Sequence, residues 1–359
     1  MWRYPKSITC DPTNPVFISG LSTDRRNGSV VNALIVGAGA VGQVYGHFLQ
    51  RGGAAVSYLV KEKYQAQCEQ GFTLYRCRRN GLGAPERFQA TGIYTDLEAV
   101  RQQHWDQVWL AISSADLRGD FLPRLRDAIG DATLVMLQPD LDDRDYVCQV
   151  FPAQQVVCGV VNFIAYQTPL PGLPDYQQDA SKQGVAYLLL PLMPAEFAGS
   201  ESRLPEVAAA LAEGRFNVKV QQDASRIYAD RSAMMIPLVA LLELEHWSFR
   251  RLRHSRSLEL AVNAAREALT IVAARFGQRL NWTERLFNLF SVKLALPLMR
   301  ILSPMDAEAY LKFQFRKTAP QTRLMLQHFI DDGERLGQPV HSLKTLQGLL
   351  QQSSQDQAA

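Results

Sequence analysis

The sequence is poor in the residue patterns that announce metal, disulfide or hydrolytic chemistry. Its 359 residues hold five cysteines, Cys10, Cys68, Cys77, Cys148 and Cys158, none in a C-x-x-C pair or near a histidine at ligand spacing. That excludes a zinc site and a disulfide framework, and it suits a reducing compartment. The six histidines include no pair three or four residues apart, and no G-x-S-x-G elbow occurs, so neither a metalloenzyme nor a serine hydrolase has support. Charge of one sign is also scarce: the net charge is +3, too mild for nucleic acid as the main partner. The opening Met1-Trp2-Arg3-Tyr4-Pro5-Lys6 lacks an apolar core ahead of a cleavage site, so the expected location is cytoplasmic. Long hydrophobic runs are missing too. Leu286 to Leu302 comes nearest but is short for a bilayer and is broken by Lys293, Pro297 and Arg300; it is expected to be a buried or subunit-interface helix, with no membrane partner.

What is present is a core-forming 47% of hydrophobic residues, enough for two domains, and one strong motif. Val31-Asn32-Ala33-Leu34-Ile35-Val36 reads as a strand buried on both faces, and Gly37-Ala38-Gly39-Ala40-Val41-Gly42 spells G-x-G-x-x-G. Helical spacing of Val41, Val44, Phe48 and Leu49 follows, stopped by Gly52-Gly53. Strand, glycine turn and helix together point to a dinucleotide site. Gly37 permits the turn, Gly39 lets backbone approach a pyrophosphate, and Gly42 lets helix and strand close. A second strand, Ala54 to Val60, runs into Lys61-Glu62-Lys63. At that strand end an acid favours NAD and a cation favours NADP, so Lys61 and Lys63 point to NADP while Glu62 pulls the other way.

Further along, Phe72–Arg79 and Arg87–Tyr94 alternate and are expected to pair across a turn at Asn80 to Gly83. Val108–Ile112 and Thr133–Leu137 read as buried strands ending at Ser113-Ser114 and Gln138-Pro139-Asp140, which makes Ser113, Ser114 and Gln138 candidate cofactor or substrate contacts. Val156–Gln167, Val185–Leu190 and Phe216–Val220 are expected strands, and Glu206–Glu213 a helix. After Asp223 the pattern becomes helical: Arg226–Leu242, Leu258–Phe276, Thr283–Ile301 and Thr318–Gly337. The expected fold is therefore α/β plus all-α: a Rossmann-type doubly wound sheet over residues 31–222 and a helical substrate and dimerisation domain over 223–352, with an extension at 1–30 and a tail at 353–359. Arg250, Arg251, Arg253, His254 and Arg256 form the densest basic run, read as a solvated face or a substrate-carboxylate clamp in the cleft.

The glycine fingerprint, Gly53 and Val56 ahead of a cation, the strands ending at Ser113 and Gln138, and the helical second half resemble the ketopantoate reductases (2-dehydropantoate 2-reductases) over residues 31 to 350. The segment Phe249 to His254 and the helices around Gly337 are weaker matches. The resemblance implies reduction of a 2-oxo acid with NADPH. It also exposes departures. Where family members carry a general-acid lysine early in the first long helix, this chain has Tyr228 or Asp230, depending on a two-residue gap before Pro237, and no lysine occurs between Lys219 and Lys293. Gln138 stands for the family's asparagine, Ser113 for a lysine, and Gln321 for an acid that grips the substrate hydroxyl. The expected activity is hydride transfer from NADPH to an altered carbonyl or imine substrate. The alternative is a dinucleotide-binding sensor or assembly protein that has lost turnover.

Overall fold

In a computed structural model of the chain, the structure describes residues 30–358 except 80, 139, 141, 171–178, 180, 191–192, 222–227, 278, 281–285, 304 and 318. The expected N-terminal extension and the Pro139 strand end thus fall outside the described residues. Strand β1 (Asn32–Val36) is central, with helix α1 (Ala40–Arg51) and strand β2 (Ala55–Leu59) following it. The main sheet takes in β5 (Gly92–Tyr94), β6 (Gln107–Leu110), β7 (Thr133–Met136), β8 (Val156–Gly159), β11 (Ala195–Gly199) and β12 (Val218–Val220) in the order β12-β11-β8-β7-β6-β1-β2-β5. The run from β8 to β5 is parallel throughout, which is the doubly wound arrangement, and β11 enters antiparallel to β8. Every residue of β6, β7 and β8 is buried, as parallel strands covered on both faces require.

Helix α1 and helix α6 (Leu204–Glu213) cover one face, where Tyr45 packs its ring 5.2 Å from those of Trp109 and Phe163 and 5.5 Å from that of Phe216. The other face is filled from α3 (Leu97–Arg101), α4 (Phe121–Ile129) and α5 (Asp143–Cys148). None of these three short helices was expected from the apolar spacing.

A second sheet, order β4-β3-β10-β9, departs from the expected pairing. Strand β3 (Phe72–Arg78) pairs with β4 (Gly81–Phe88), while Gly92–Tyr94 leaves the hairpin and runs parallel to β2. A period of two fixes which way side chains face but does not name the partner strand. The expected strand Val156–Gln167 is likewise two strands in two sheets, β8 and β9 (Phe163–Thr168), the latter antiparallel to β10 (Gly184–Leu189). The break follows Gly159, where a Cβ would stand 2.2 Å from the Phe197 ring of β11.

Beyond Val220 every described element is a helix: α7 (Ala229–Leu244), α8 (Phe249–His254), α9 (Leu258–Arg275), α10 (Leu289–Leu302), α11 (Ala307–Lys317), α12 (Ala319–Arg335) and α13 (His341–Ala358). They enclose a separate core of leucine, alanine and aromatic side chains. Helix α13 runs past residue 352, through the segment expected as a tail. The second sheet meets the helical half through Tyr166, Leu170 and Ala186, packed against Ala309, Tyr310 and Phe313 of α11.

Candidate functional site

The strand order reverses at β1 and β6, and ligands of open α/β sheets bind in the crevice at that point. The glycine loop leaves β1 there. Gly37 has φ +97° and donates its N–H to Leu59 O at 2.9 Å; a Cβ on it would stand 2.9 Å from Ala111 O at the end of β6. A Cβ on Gly42 would stand 2.2 Å from Gly37 O, so α1 can approach the loop only with glycine at that position. Gly39 differs from both. Its backbone is ordinary, φ −68° and ψ 178°, it is exposed, and a Cβ there would meet nothing within 4 Å. It is also the N-cap of α1 and supplies no capping side chain, so the first amide donors of the helix lack a side-chain acceptor. Ala38, Ala40 and Val41 flank it, half-buried. An open approach to uncapped amides fits the pyrophosphate of a dinucleotide.

Lys61 and Ser113 come together beside this loop through a residue that the sequence did not single out. Ser113 Oγ donates to Asp116 Oδ2 at 2.6 Å, and Lys61 Nζ lies 3.7 Å from Asp116 Oδ1. The hydroxyl three residues ahead of a carboxylate is a local turn pattern that could have marked Asp116. Gln138 is placed differently from a ligand contact. Its buried amide donates to Leu110 O at 3.0 Å and Ile112 O at 2.9 Å and accepts from Leu137 N at 3.1 Å, stitching the ends of β6 and β7 together.

Behind these strand ends lies a polar cluster shared with the helical half. Buried Ser114 donates to Asp143 Oδ2 at 2.6 Å and accepts from Gln321 Nε2 of α12 at 3.3 Å. Asp143, wholly buried, also receives Arg118 at 3.0 Å and the Asp140 N–H at 3.1 Å. Burial pushes its carboxyl up to about 6, against the hydrogen bond from Ser114 and the Arg118 charge. His328, one helical face along from Gln321, sets Nδ1 3.0 Å from Asp140 Oδ1, and that hydrogen bond raises its pKa. Nearer the surface, Arg275 of α9 binds Asp142 at 2.8 Å and Asp145 at 3.0 Å on the sheet half, and Asp332 at 2.6 Å on its own half. Asp140, Asp143, His328 and Arg275 carry no short-range sequence signal, since their partners lie on other elements.

Tyr228 is buried at 6% exposure, with its hydroxyl turned to backbone. Its ring is buried in the core on the α3–α5 face, with its hydroxyl 2.9 Å from Met136 O and 2.5 Å from Gly159 O. Burial drives its pKa well above the ordinary value. Asp230 falls in the first turn of α7, half-buried. Among the described residues no group of histidine, cysteine or carboxylate side chains is arranged to hold a metal, and no helix is long and apolar enough to cross a membrane.

Comparison with known proteins places these observations. The family model of ketopantoate reductase PanE/ApbA, a family of reductases, matches residues 33–174, the span that holds the glycine loop, Lys61, Ser113 and Gln138. No curated protein matches the sequence significantly. Among solved structures, the 2-dehydropantoate 2-reductase of Methylococcus capsulatus is similar with a TM-score of 0.67 at 16% identity, covering 92% of this chain and 98% of that one. That of Geobacter metallireducens GS-15 gives 0.66 at 18%, covering 90% and 100%. A D-mandelate dehydrogenase solved with NADH and anilino(oxo)acetate gives 0.66 at 13%, covering 91% and 99%. Residues 33 to 174 thus match the ketopantoate reductase PanE/ApbA family model, on a chain that has the two-part fold of solved 2-dehydropantoate 2-reductases.

Proposed function

We propose that this chain is a cytoplasmic NADPH-dependent reductase acting on a 2-oxo acid or a related carbonyl or imine. The observation that carries the reading is the open approach to Gly39 at the point where the strand order reverses. Gly37, Ala38, Gly39, Ala40, Val41 and Gly42 would hold the pyrophosphate by backbone amides and the helix dipole. Lys61 would meet the 2′-phosphate. Its ammonium is exposed after the second strand, and a cation there supports NADP over NAD. A reduced nicotinamide supplies hydride to the carbonyl carbon. The chain must then supply a proton to the oxygen, and the group suited to this is His328. Asp140 holds its Nδ1 and favours the protonated ring, while Nε2 has no partner among the described residues. Gln321 and Ser114 line the same wall and would orient the substrate.

The test is titration of the protein with NADPH and NADH, followed by turnover against a panel of 2-oxo acids, ketones and imines. Tight NADPH binding, weakened about tenfold by Lys61→Ala while NADH is unaffected, is the expected result. Absence of binding to either nucleotide would overturn the reading. A second reading has its own support: Gln138 spends its amide on backbone, and Tyr228, one of the two candidates for the family's lysine position, is sealed in the core. Tight nucleotide binding with no turnover across the panel would select that reading, a dinucleotide-binding sensor.

A further inference from the structure

The sequence reads the apolar run 286–302 as a buried or subunit-interface helix and the basic run 250–256 as a solvated face or a carboxylate clamp, and the structure puts them on neighbouring elements. Helix α10 packs against α8 and α9. Its inner side sends Val292 and Leu296 into the helical core. Its outer side carries large apolar side chains at four-residue intervals, Leu286 at 57% exposure just before the helix, then Phe290 at 76%, Leu294 at 55% and Leu298 at 45%. A lone exposed leucine is unremarkable, but four in one row, led by a nearly bare phenylalanine, mark a contact surface. On the neighbouring α8 and just after it, Arg250, Arg251, Arg253 and Arg256 are exposed, as is Lys293 within α10 itself. None of these five cations makes an ion pair with a carboxylate among the described residues. Glu308, which lies close by, is occupied by the backbone N–H of Phe249.

From this juxtaposition we infer that the α8–α10 face docks onto an anionic lipid bilayer. Apolar side chains beside a band of arginine and lysine are what an interfacial helix presents to a membrane: the apolar row enters the boundary between headgroups and acyl chains, and the cations meet lipid phosphates. A set of exposed cations without carboxylate partners calls for an anionic counterpart, which a bilayer with acidic headgroups supplies. No helix among the described residues is long and apolar enough to cross a bilayer, so the proposed contact is peripheral, and it runs against the expectation of no membrane partner.

The test is co-sedimentation of the full chain with vesicles of phosphatidylcholine alone and of phosphatidylcholine mixed with phosphatidylglycerol. Binding to the mixed vesicles should exceed binding to the neutral ones by about tenfold or more and fall as salt is raised. Two exposed-face variants, Phe290→Ser with Leu294→Ser, and Arg250→Glu with Arg251→Glu and Arg253→Glu, should each abolish it without lowering the melting temperature or NADPH affinity. No binding to either vesicle, or undiminished binding by both variants, overturns the inference. So does a doubled mass in light scattering that Phe290→Ser reverses, which would assign the face to a second copy. Nucleotide titration reports separately on the reductase reading, so failure of one is distinguishable from failure of the other.

Discussion

Replacing Gly39 and Gly42 one at a time by alanine separates folding from nucleotide binding, because the two glycines serve different physical needs within one motif. At Gly42 a methyl would stand 2.2 Å from Gly37 O, about 1 Å inside ordinary contact. Helix α1 must shift or the loop must open, and overpacking of that kind costs about 1–3 kcal/mol. Part is offset by the better helix propensity of alanine, about 1 kcal/mol. The net effect of Gly42→Ala should be a melting temperature lower by a few degrees, on the order of 2–4 °C per kcal/mol for a domain of this size. At Gly39 a methyl meets nothing within 4 Å and the backbone is already in an ordinary region, so Gly39→Ala should leave stability within about 0.5 kcal/mol. The same methyl occupies the approach that a pyrophosphate needs. NADPH affinity should therefore fall tenfold or more, about 1.4 kcal/mol. Calorimetric titration and a thermal melt on both variants read the two effects. If Gly39→Ala bound NADPH within about twofold of the parent chain, the assignment of that open space to the cofactor would be refuted.

Other outcomes follow from the buried polar groups. Tyr228→Phe leaves Met136 O and Gly159 O without their shared hydroxyl donor and should lower stability by about 1–3 kcal/mol in urea, with nucleotide affinity unchanged. Selective loss of turnover at full stability would instead restore Tyr228 as a proton donor. Asp143 binds a proton more tightly folded than unfolded, its value rising from 3.8 to about 6, so stability should fall as pH climbs between those values, by about 3 kcal/mol in all. In Asp143→Asn that contribution to the pH dependence should vanish, and an unchanged slope across the window would count against a buried, titrating carboxyl. Arg275→Met strips the shared cation from Asp142, Asp145 and Asp332 and should cost about 3 kcal/mol in chemical denaturation. A loss below about 0.5 kcal/mol would show the cluster to be a surface ornament.

Much of the first domain was legible because its signals are local. A charge-free apolar run, three glycines at fixed spacing and a helical stripe sit within twenty-odd residues of β1, and the structure places them in sequence order. The second sheet was not legible, because Arg87–Tyr94 has the right alternation for a hairpin and nothing in it names β2 as the partner of Gly92–Tyr94. Strand β11 and the helices α3, α4 and α5 were missed for a related reason: they are short, and their buried residues answer to faces that exist only once the sheet is built. The polar wall was the least visible part. Ser114 meets Gln321 and Asp140 meets His328 across separations of 207 and 188 residues, which no local spacing encodes. The Leu286–Leu302 segment shows the converse, since apolar content told of a helix but not that its outer row would be left bare.

Arg275 joins the sheet half to the helical half through carboxylates, and its side chain keeps 14% of its surface in contact with water. The same junction is also closed by oil, where Tyr166, Leu170 and Ala186 pack on α11. Added salt reaches mainly the outward arms of the charged part, Asp142 and Asp145 at 45% and 64% exposure, and leaves the apolar part alone. Rising electrolyte should therefore loosen the grip between the halves by a fraction and not release it.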